Sequence, residues 1–153
     1  MGHVQEAFHI DAPPERVWDL VSDCDRILEV QSGISEIRDC PGRLDVVGAR
    51  YTWIYKSFGR TLEGQAETTK AEKPRVIEQR LTAPGGGKGT TMFRFEPALG
   101  GTDVNMTFDY ELPGGFFGDM ADKLFMERAI ERDLRHSNEN LKALCEAKAA
   151  VHA

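Results

Sequence analysis

This chain has no long apolar run, no net positive charge and no signal-peptide pattern, and each absence excludes a class of protein. No apolar run reaches the roughly 18 residues of a membrane-spanning helix, so we expect no membrane span. The net charge of −6 over 153 residues disfavours nucleic acid and anionic membranes as partners. The N-terminal residues lack the basic and apolar regions of a secretory signal. We therefore expect a cytoplasmic protein.

Cysteine and histidine are also few. The three cysteines, Cys24, Cys40 and Cys145, are odd in number and widely spaced, which predicts reduced thiols rather than a disulfide frame or a metal cluster. The four histidines lack metal-ligand spacing, and no serine lies in a nucleophile-elbow motif. We expect neither a metal nor an organic cofactor.

Glycine is concentrated in the segment TAPGGGKGTT at 82–91. A phosphate-binding P-loop needs a glycine five positions before its Gly-Lys pair and a hydroxyl after the lysine, and here those positions hold Thr82 and Gly89. We predict instead a flexible hairpin loop, a mobile lip over Pro84–Lys88 in which Lys88 contacts an anionic ligand tail. An ordinary tight turn is the alternative.

The hydrophobic periodicity predicts one strand, two short helices, six further strands and one long helix. No linker or internal repeat divides the chain, so we expect one domain over 1–153. The strands are expected at about 3–10, 34–40, 48–57, 60–71, 75–83, 90–97 and 102–112, and the helices at about 11–23, 24–30 and 116–148. The apolar stripe of the long helix is predicted as Met120, Leu124, Ile130, Leu134, Leu141 and Cys145.

Three segments carry a resemblance to a known family: FHIDAPPERVWDLVSD, FRFEPALGGTDVNMTFDYELP and DLRHSNENLKALCE. With this element order, the chain resembles the START-like (SRPBCC) superfamily, in particular its polyketide cyclase/dehydrase branch. The resemblance implies an α+β helix-grip fold: a seven-stranded curved antiparallel sheet, two short helices after the first strand, and a long C-terminal helix over a central cavity.

One hairpin allows the register to be predicted. If Phe58 and Gly59 form a two-residue turn, Tyr55 faces Leu62, Trp53 faces Gly64 and Tyr51 faces Ala66. Their sequence neighbours are polar and suit a solvated outer face. Large rings would therefore oppose small residues on the concave side of the sheet.

Applied to every strand and to the long helix, the same alternation predicts a mostly apolar ligand cavity with a few hydroxyl and amide groups. The predicted ligand-binding residues are Tyr51, Trp53, Tyr55, Leu62, Gly64, Ala66, Thr68, Gln79, Leu81, Phe93, Phe95, Met106, Phe108, Tyr110, Met120, Leu124 and Glu127. Glu127 either faces the chamber as a neutral carboxyl or lies at the edge of the stripe and reaches solvent.

Catalysis is the less favoured hypothesis. The resemblance implies that cyclase members use a cavity arginine to polarise carbonyls, yet the corresponding strand, LEGQAETTK, offers none inward. The candidate catalytic residues are therefore Tyr51, Tyr110, Glu127 and, if the register of its strand is shifted, Arg80.

Three functions remain open. The first is a carrier or sensor, monomeric or homodimeric, that binds a hydrophobic small molecule such as a polyketide, lipid, isoprenoid or aromatic metabolite. The second is a polyketide cyclase/aromatase or dehydrase acting on a molecule in the cavity. The third is an interaction module with a filled cavity and a Phe-rich end. A cavity below about 300 Å³ would favour the third.

Overall fold

Seven antiparallel strands form one sheet in the order β1-β7-β6-β5-β4-β3-β2. The computed structural model describes residues 2–57, 59–113 and 120–151. The strands are β1 (Gly2–Ile10), β2 (Ile34–Arg38), β3 (Arg50–Ser57), β4 (Arg60–Glu72), β5 (Val76–Ala83), β6 (Gly87–Ala98) and β7 (Gly101–Glu111). The helices are α1 (Pro14–Ser22), a 3-10 turn (Cys24–Arg26), α2 (Ile27–Val30) and α3 (Met120–Val151). This confirms the predicted helix-grip fold.

The β3–β4 hairpin has the predicted register. Tyr55 pairs with Leu62, Trp53 with Gly64 and Tyr51 with Ala66. Phe58, which the predicted turn included, lies outside the described residues. Because side chains alternate between the two faces of a strand, this register puts all three rings on the concave face.

The β5–β6 hairpin is tighter than predicted. Its turn holds only Pro84, Gly85 and Gly86, while Lys88 is paired with Thr82 in the sheet. The prediction of a mobile lip reaching Lys88 is therefore wrong. The later glycines have a packing role instead: a Cβ on Gly87 would lie 2.7 Å from Pro113, and one on Gly89 would lie 2.7 Å from the ring of Phe108.

The buried face of α3 agrees with the predicted stripe at Ile130, Leu134, Leu141 and Cys145 but not at Leu124. Met126 and Ala129 are buried together with Leu141 and Cys145, whereas Leu124 is 51 % exposed. Residues two apart on a helix point to roughly opposite sides, about 200° apart, so Leu124 and Met126 cannot both face the sheet. The predicted start of this helix at 116 lies outside the described residues.

One end of the structure is solid. Trp18 of α1, Phe95 of β6 and Leu141 of α3 are buried in one cluster, and the rings of Trp18 and Phe95 meet edge to face at 6.3 Å. This end holds the β4–β5 and β6–β7 turns. The hollow part of the fold is therefore confined to the opposite end, near the β3–β4 and β5–β6 hairpins.

Cys24 and Cys40 form a disulfide, with Cα atoms 6.0 Å apart. The prediction of reduced thiols is therefore wrong for Cys24 and Cys40. It is confirmed for Cys145, which is a buried thiol. The backbone of Cys24 donates to the carbonyl of Gly42 over 3.1 Å, which brings the segment after β2 alongside the 3-10 turn. A 16-residue spacing between cysteines does not reveal that proximity.

No helix within residues 2–57, 59–113 and 120–151 has both the length and the apolarity required to cross a bilayer.

We predict that Gly64→Ala destabilises the fold by about 1–3 kcal/mol through overpacking. The new Cβ would lie 2.2 Å from the Trp53 ring and 2.3 Å from the carbonyl oxygen of Thr82, and backbone cannot move aside cheaply. Urea unfolding measures the change. Thr61→Ala, at an exposed position of the same strand, is the control and should change stability by less than about 0.5 kcal/mol. Equal stability of Gly64→Ala and wild type would show that Trp53 does not lie over Gly64.

Candidate functional site

A cavity of about 200 Å³ lies between α3 and the concave face of the sheet. Its walls come from the ends of β3, β4, β5, β6 and β7 that carry the two hairpins, from the loop after α2, and from the middle of α3. Apolar side chains dominate these walls, as expected for a small-molecule site.

Most of the predicted ligand-binding residues line this cavity. They are Tyr51, Trp53, Tyr55, Leu62, Gln79, Leu81, Phe93, Met106, Phe108 and Tyr110. Thr91 of β6 adds a hydroxyl group to the lining. The alternation of strands β3 to β7 was therefore sufficient to find the strand side of the cavity.

Gly64, Ala66 and Thr68 lie on the concave face but do not line the cavity. The indole of Trp53 lies over Gly64, and Ala66 is fully buried in the same cluster. Thr68 donates to the carbonyl of Leu44 over 2.6 Å. These small residues support the rings that form the wall.

Other predicted residues lie elsewhere. Phe95 belongs to the solid end with Trp18, Leu124 is exposed, and Glu127 is half-buried without lining the cavity. The side chain of Met120 lies outside the described part of the chain.

The two cations considered at the sequence level do not act inside the cavity. Arg80 is exposed, and its guanidinium lies 3.8 Å from Glu67 on the outer face, so the shifted register that would turn it inward is wrong. Lys88 lines the mouth, where its Nζ lies 3.5 Å from Glu111. Among the described lining residues there is no arginine.

The most polar part of the cavity was missed by the sequence analysis. The hydroxyl of Tyr55 donates to Oδ2 of Asp133 over 2.6 Å, and the Asp133 side chain is only 15 % exposed. Asp133 lies four residues before the buried Ser137 and three after Ile130, which also lines the cavity. A stripe that included Met126 in place of Leu124, beside the predicted Ile130, would have identified it.

The loop after α2 holds this polar pair in place. The backbone N–H of Ser32 donates to Oγ of Ser137 over 2.8 Å, and that hydroxyl donates to the carbonyl of Asp133 over 2.8 Å. Gly33 has a φ of +91°, and a Cβ there would lie 2.5 Å from the Tyr55 ring and 2.8 Å from Oδ2 of Asp133. Glycine is therefore required at this position for two reasons, its backbone conformation and its contact with the pair.

The remaining polar groups of the wall are neutral donors. Burial raises the pKa of Tyr51 to about 12. Burial also raises the pKa of Tyr110 to about 12, with smaller contributions from the charges of Glu127 and Glu131. Both phenols therefore stay protonated near neutral pH. The Nε1 of Trp53 is buried and has no hydrogen-bond partner within the described part of the protein.

The histidines with described contacts lie away from the cavity. His3 hydrogen-bonds to Asp109, and His9 to Asp103, on the outer face of β1 and β7. No cluster of three or more metal-ligating side chains occurs within residues 2–57, 59–113 and 120–151.

A curved seven-stranded sheet gripped by a long C-terminal helix over a cavity defines a START-like protein of the SRPBCC superfamily. The family whose model matches residues 1–146 is described as polyketide cyclase/dehydrase and lipid transport. The chain belongs to that family.

Solved structures with the same fold include the Zhui aromatase/cyclase from Streptomyces sp. R1128, with a TM-score of 0.78 and 17% identity over 97% of this chain and 95% of that one. TTHA0849 from Thermus thermophilus has a TM-score of 0.67 and 25% identity over 94% and 99%. The Aha1 dimer from Colwellia psychrerythraea has a TM-score of 0.63 and 18% identity over 95% and 97%. No protein of curated function matches the chain significantly by sequence.

We predict that Tyr51 makes folding sensitive to alkaline pH. An unfolded tyrosine ionises near pH 10, whereas the folded Tyr51 has a pKa of about 12, so the stabilisation is complete below pH 10 and is lost as the pH rises through 12. By pH 12 wild type should lose roughly 2–3 kcal/mol more than Tyr51→Phe, since each pKa unit corresponds to about 1.4 kcal/mol. Urea unfolding of both proteins at pH 8 and at high pH measures this difference. Lysines titrate alike in both proteins and cancel, so an equal loss would contradict burial of the Tyr51 hydroxyl.

Proposed function

We propose that this protein binds a small, largely apolar ring compound in the cavity, as a carrier or sensor. The observation that carries the proposal is a cavity of about 200 Å³ whose walls are aromatic and aliphatic side chains with a few polar groups. That composition is typical of small-molecule sites, in which apolar area supplies affinity and polar groups set orientation.

The volume limits the ligand to about one or two rings. A protein cavity of about 150 Å³ accommodates benzene, whereas pockets for drug-sized ligands usually exceed about 300 Å³. A folded polyketide chain or a long isoprenoid is therefore a poor fit. A substituted single ring or a small fused pair of rings is the better candidate.

The same volume lies below the 300 Å³ threshold that favours the interaction-module hypothesis. The phenylalanines on which that hypothesis depends, Phe58, Phe116 and Phe117, lie outside the described residues. The polar pair of Tyr55 and Asp133 facing the cavity instead supports a ligand, because a closed core rarely retains a carboxylate without a purpose. The interaction module is therefore the less favoured hypothesis.

A cyclase or dehydrase reaction on a bound ring compound is the second candidate function. It is supported by the family description and by the protonated phenols of Tyr51 and Tyr110, which can donate to a carbonyl oxygen. An arginine facing the cavity, which the resemblance implies for cyclases, has no counterpart in the described lining. Binding without turnover is therefore the first proposal.

We also propose that residues 1–153 form one domain and that the protein is a monomer or a homodimer. The expectation of a cytoplasmic location rested partly on three reduced thiols, and the disulfide between Cys24 and Cys40 removes that support.

We predict that Thr91→Phe abolishes ligand binding. Thr91 lines the cavity between Gln79 and Phe108, so a phenyl ring there would occupy the space that the ligand needs. Binding of indane, a neutral bicyclic hydrocarbon, should weaken by at least about tenfold, equivalent to 1.4 kcal/mol. Ligand-observed NMR titration measures the affinity.

The matched control is Thr90→Phe, one residue away and therefore on the opposite face of β6. It adds the same ring and should leave indane affinity within about twofold of wild type, a difference below 0.5 kcal/mol. Circular dichroism and Tm establish that both variants are folded. Equal indane affinity in folded Thr91→Phe and wild type would refute binding in this cavity.

A further inference from the structure

Two carboxylates line the cavity in the described part of the chain: Glu111, which lies beside Lys88, and Asp133, which lies deeper on α3. Asp133 lines a wall that also contains Ile130, Leu134 and the ring of Tyr55. Among the described cavity side chains, only that of Tyr55 hydrogen-bonds to the Asp133 carboxylate, with its hydroxyl 2.6 Å from Oδ2. A carboxylate accepts about four hydrogen bonds, so acceptor capacity remains after Tyr55 has donated.

The surroundings of Asp133 do not fill that capacity. On its own helix, Arg132 forms an ion pair with Asp133, but its Nε lies 3.6 Å from Oδ1, longer than a hydrogen bond, and its side chain is 61 % exposed. Ser137 donates to the backbone carbonyl of Asp133 and not to its carboxylate. From the loop after α2, Gly33 presents only a backbone surface, and Ser32 uses its N–H on Ser137. A buried carboxylate without enough donors is costly, so a ligand that donates is favoured.

The site is preorganised from three directions. Strand β3 supplies Tyr55, helix α3 supplies Asp133 and Ser137, and the loop after α2 is clamped to both through Ser32 and Gly33. A ligand group therefore meets a carboxylate whose orientation is already set, and little ordering is needed on binding.

The indole N–H of Trp53 is a hydrogen-bond donor that has no acceptor in the described part of the protein. This N–H is buried, and its residue is 7 % exposed. A buried N–H without a partner has a cost comparable to a lost hydrogen bond. Because this nitrogen has almost no accessible surface and its side of the indole lies over Gly64, it is not a donor for a ligand, and polar recognition rests on Asp133.

We propose that the ligand is a neutral hydroxylated ring compound, a phenol or cyclic alcohol, whose hydroxyl donates to Asp133 while its ring packs against Trp53 and Phe108. The proposal rests on the proposed function and narrows it to a ligand class. Carboxylic acids are disfavoured, because a second carboxylate would meet that of Asp133, whose side chain is only 15 % exposed. Methyl ethers lack the donor that Asp133 requires.

Four indane derivatives of nearly equal shape test this proposal: indane, 5-indanol, 5-methoxyindane and indane-5-carboxylate. Wild type should bind 5-indanol about tenfold more tightly than indane or 5-methoxyindane. A hydrogen bond to a charged carboxylate is stronger than one between neutral groups, and the gain is limited because the ligand hydroxyl loses a hydrogen bond to water on binding. Indane-5-carboxylate should bind most weakly. Calorimetry and ligand-observed NMR at neutral pH measure the four affinities.

The variants localise the effect through the ratio of 5-indanol to indane affinity. Asp133→Asn keeps the side-chain shape and removes the charge, so the ratio should fall from about ten to about two. Tyr55→Phe removes the donor that shares Asp133 and should leave the ratio at or above the wild-type value. Asp109→Asn, an exposed aspartate on the outer face beside His3, is the matched control and should leave the ratio unchanged.

Each outcome has a distinct meaning. If none of the four compounds binds wild type, the proposed function fails. If wild type binds indane and 5-indanol equally, or prefers the carboxylate, the ligand class proposed here is wrong while the proposed function stands. If Asp133→Asn retains the wild-type ratio, Asp133 is not the recognition group. The wild-type comparison decides even if Asp133→Asn does not fold.

Discussion

Rings lying on glycines are the packing constraint on which the cavity depends. A Cβ at Gly64 would meet the indole of Trp53, and one at Gly89 would meet the ring of Phe108. Gly2 has the same relation to Tyr110, and Gly33 to Tyr55. Without Cβ atoms beneath them, these rings lie down against the sheet or loop instead of standing into the middle of the fold. The result is an aromatic wall that leaves space in front of it. At the other end, no such arrangement exists between Trp18 and Phe95, which meet edge to face and fill the interior.

The strand side of this arrangement was accessible from the sequence because the information is local. Alternation puts Trp53 on one face, and a two-residue turn pairs it with Gly64, so a single hairpin specifies both partners of the contact. The same reasoning failed at the glycines of 85–89. A run of glycines predicts flexibility when nothing else is known. Gly87 and Gly89, however, are paired strand residues, and Pro113 and Phe108 occupy the space that their side chains would need. These are tertiary contacts, and the local composition does not reveal them.

The helix side of the cavity depended on a single angle. The predicted stripe was right at Ile130, Leu134, Leu141 and Cys145 and wrong at Leu124. A small rotation of the stripe toward Met126 replaces Glu127 by Asp133 as the cavity carboxylate. Long helices with many charged residues have several apolar stripes of similar quality, and only packing against the sheet selects one. The disulfide was missed for a related reason. The proximity of Cys24 and Cys40 arises from backbone hydrogen bonds between the 3-10 turn and the segment after β2.

The electrical character of the cavity separates this chain from the chemistry that its family resemblance suggests. Polarising a carbonyl toward an enolate needs positive charge or hydrogen-bond donors where negative charge develops. Here the lining cation Lys88 lies at the mouth, already beside Glu111, while the interior holds phenols that stay protonated and one carboxylate. A developing anion in that interior would be repelled by Asp133. A neutral molecule that donates one hydrogen bond would be stabilised by it, and its apolar body would lie against rings that the glycines hold flat. These features are the reason that ligand binding, and not catalysis, is our first proposal.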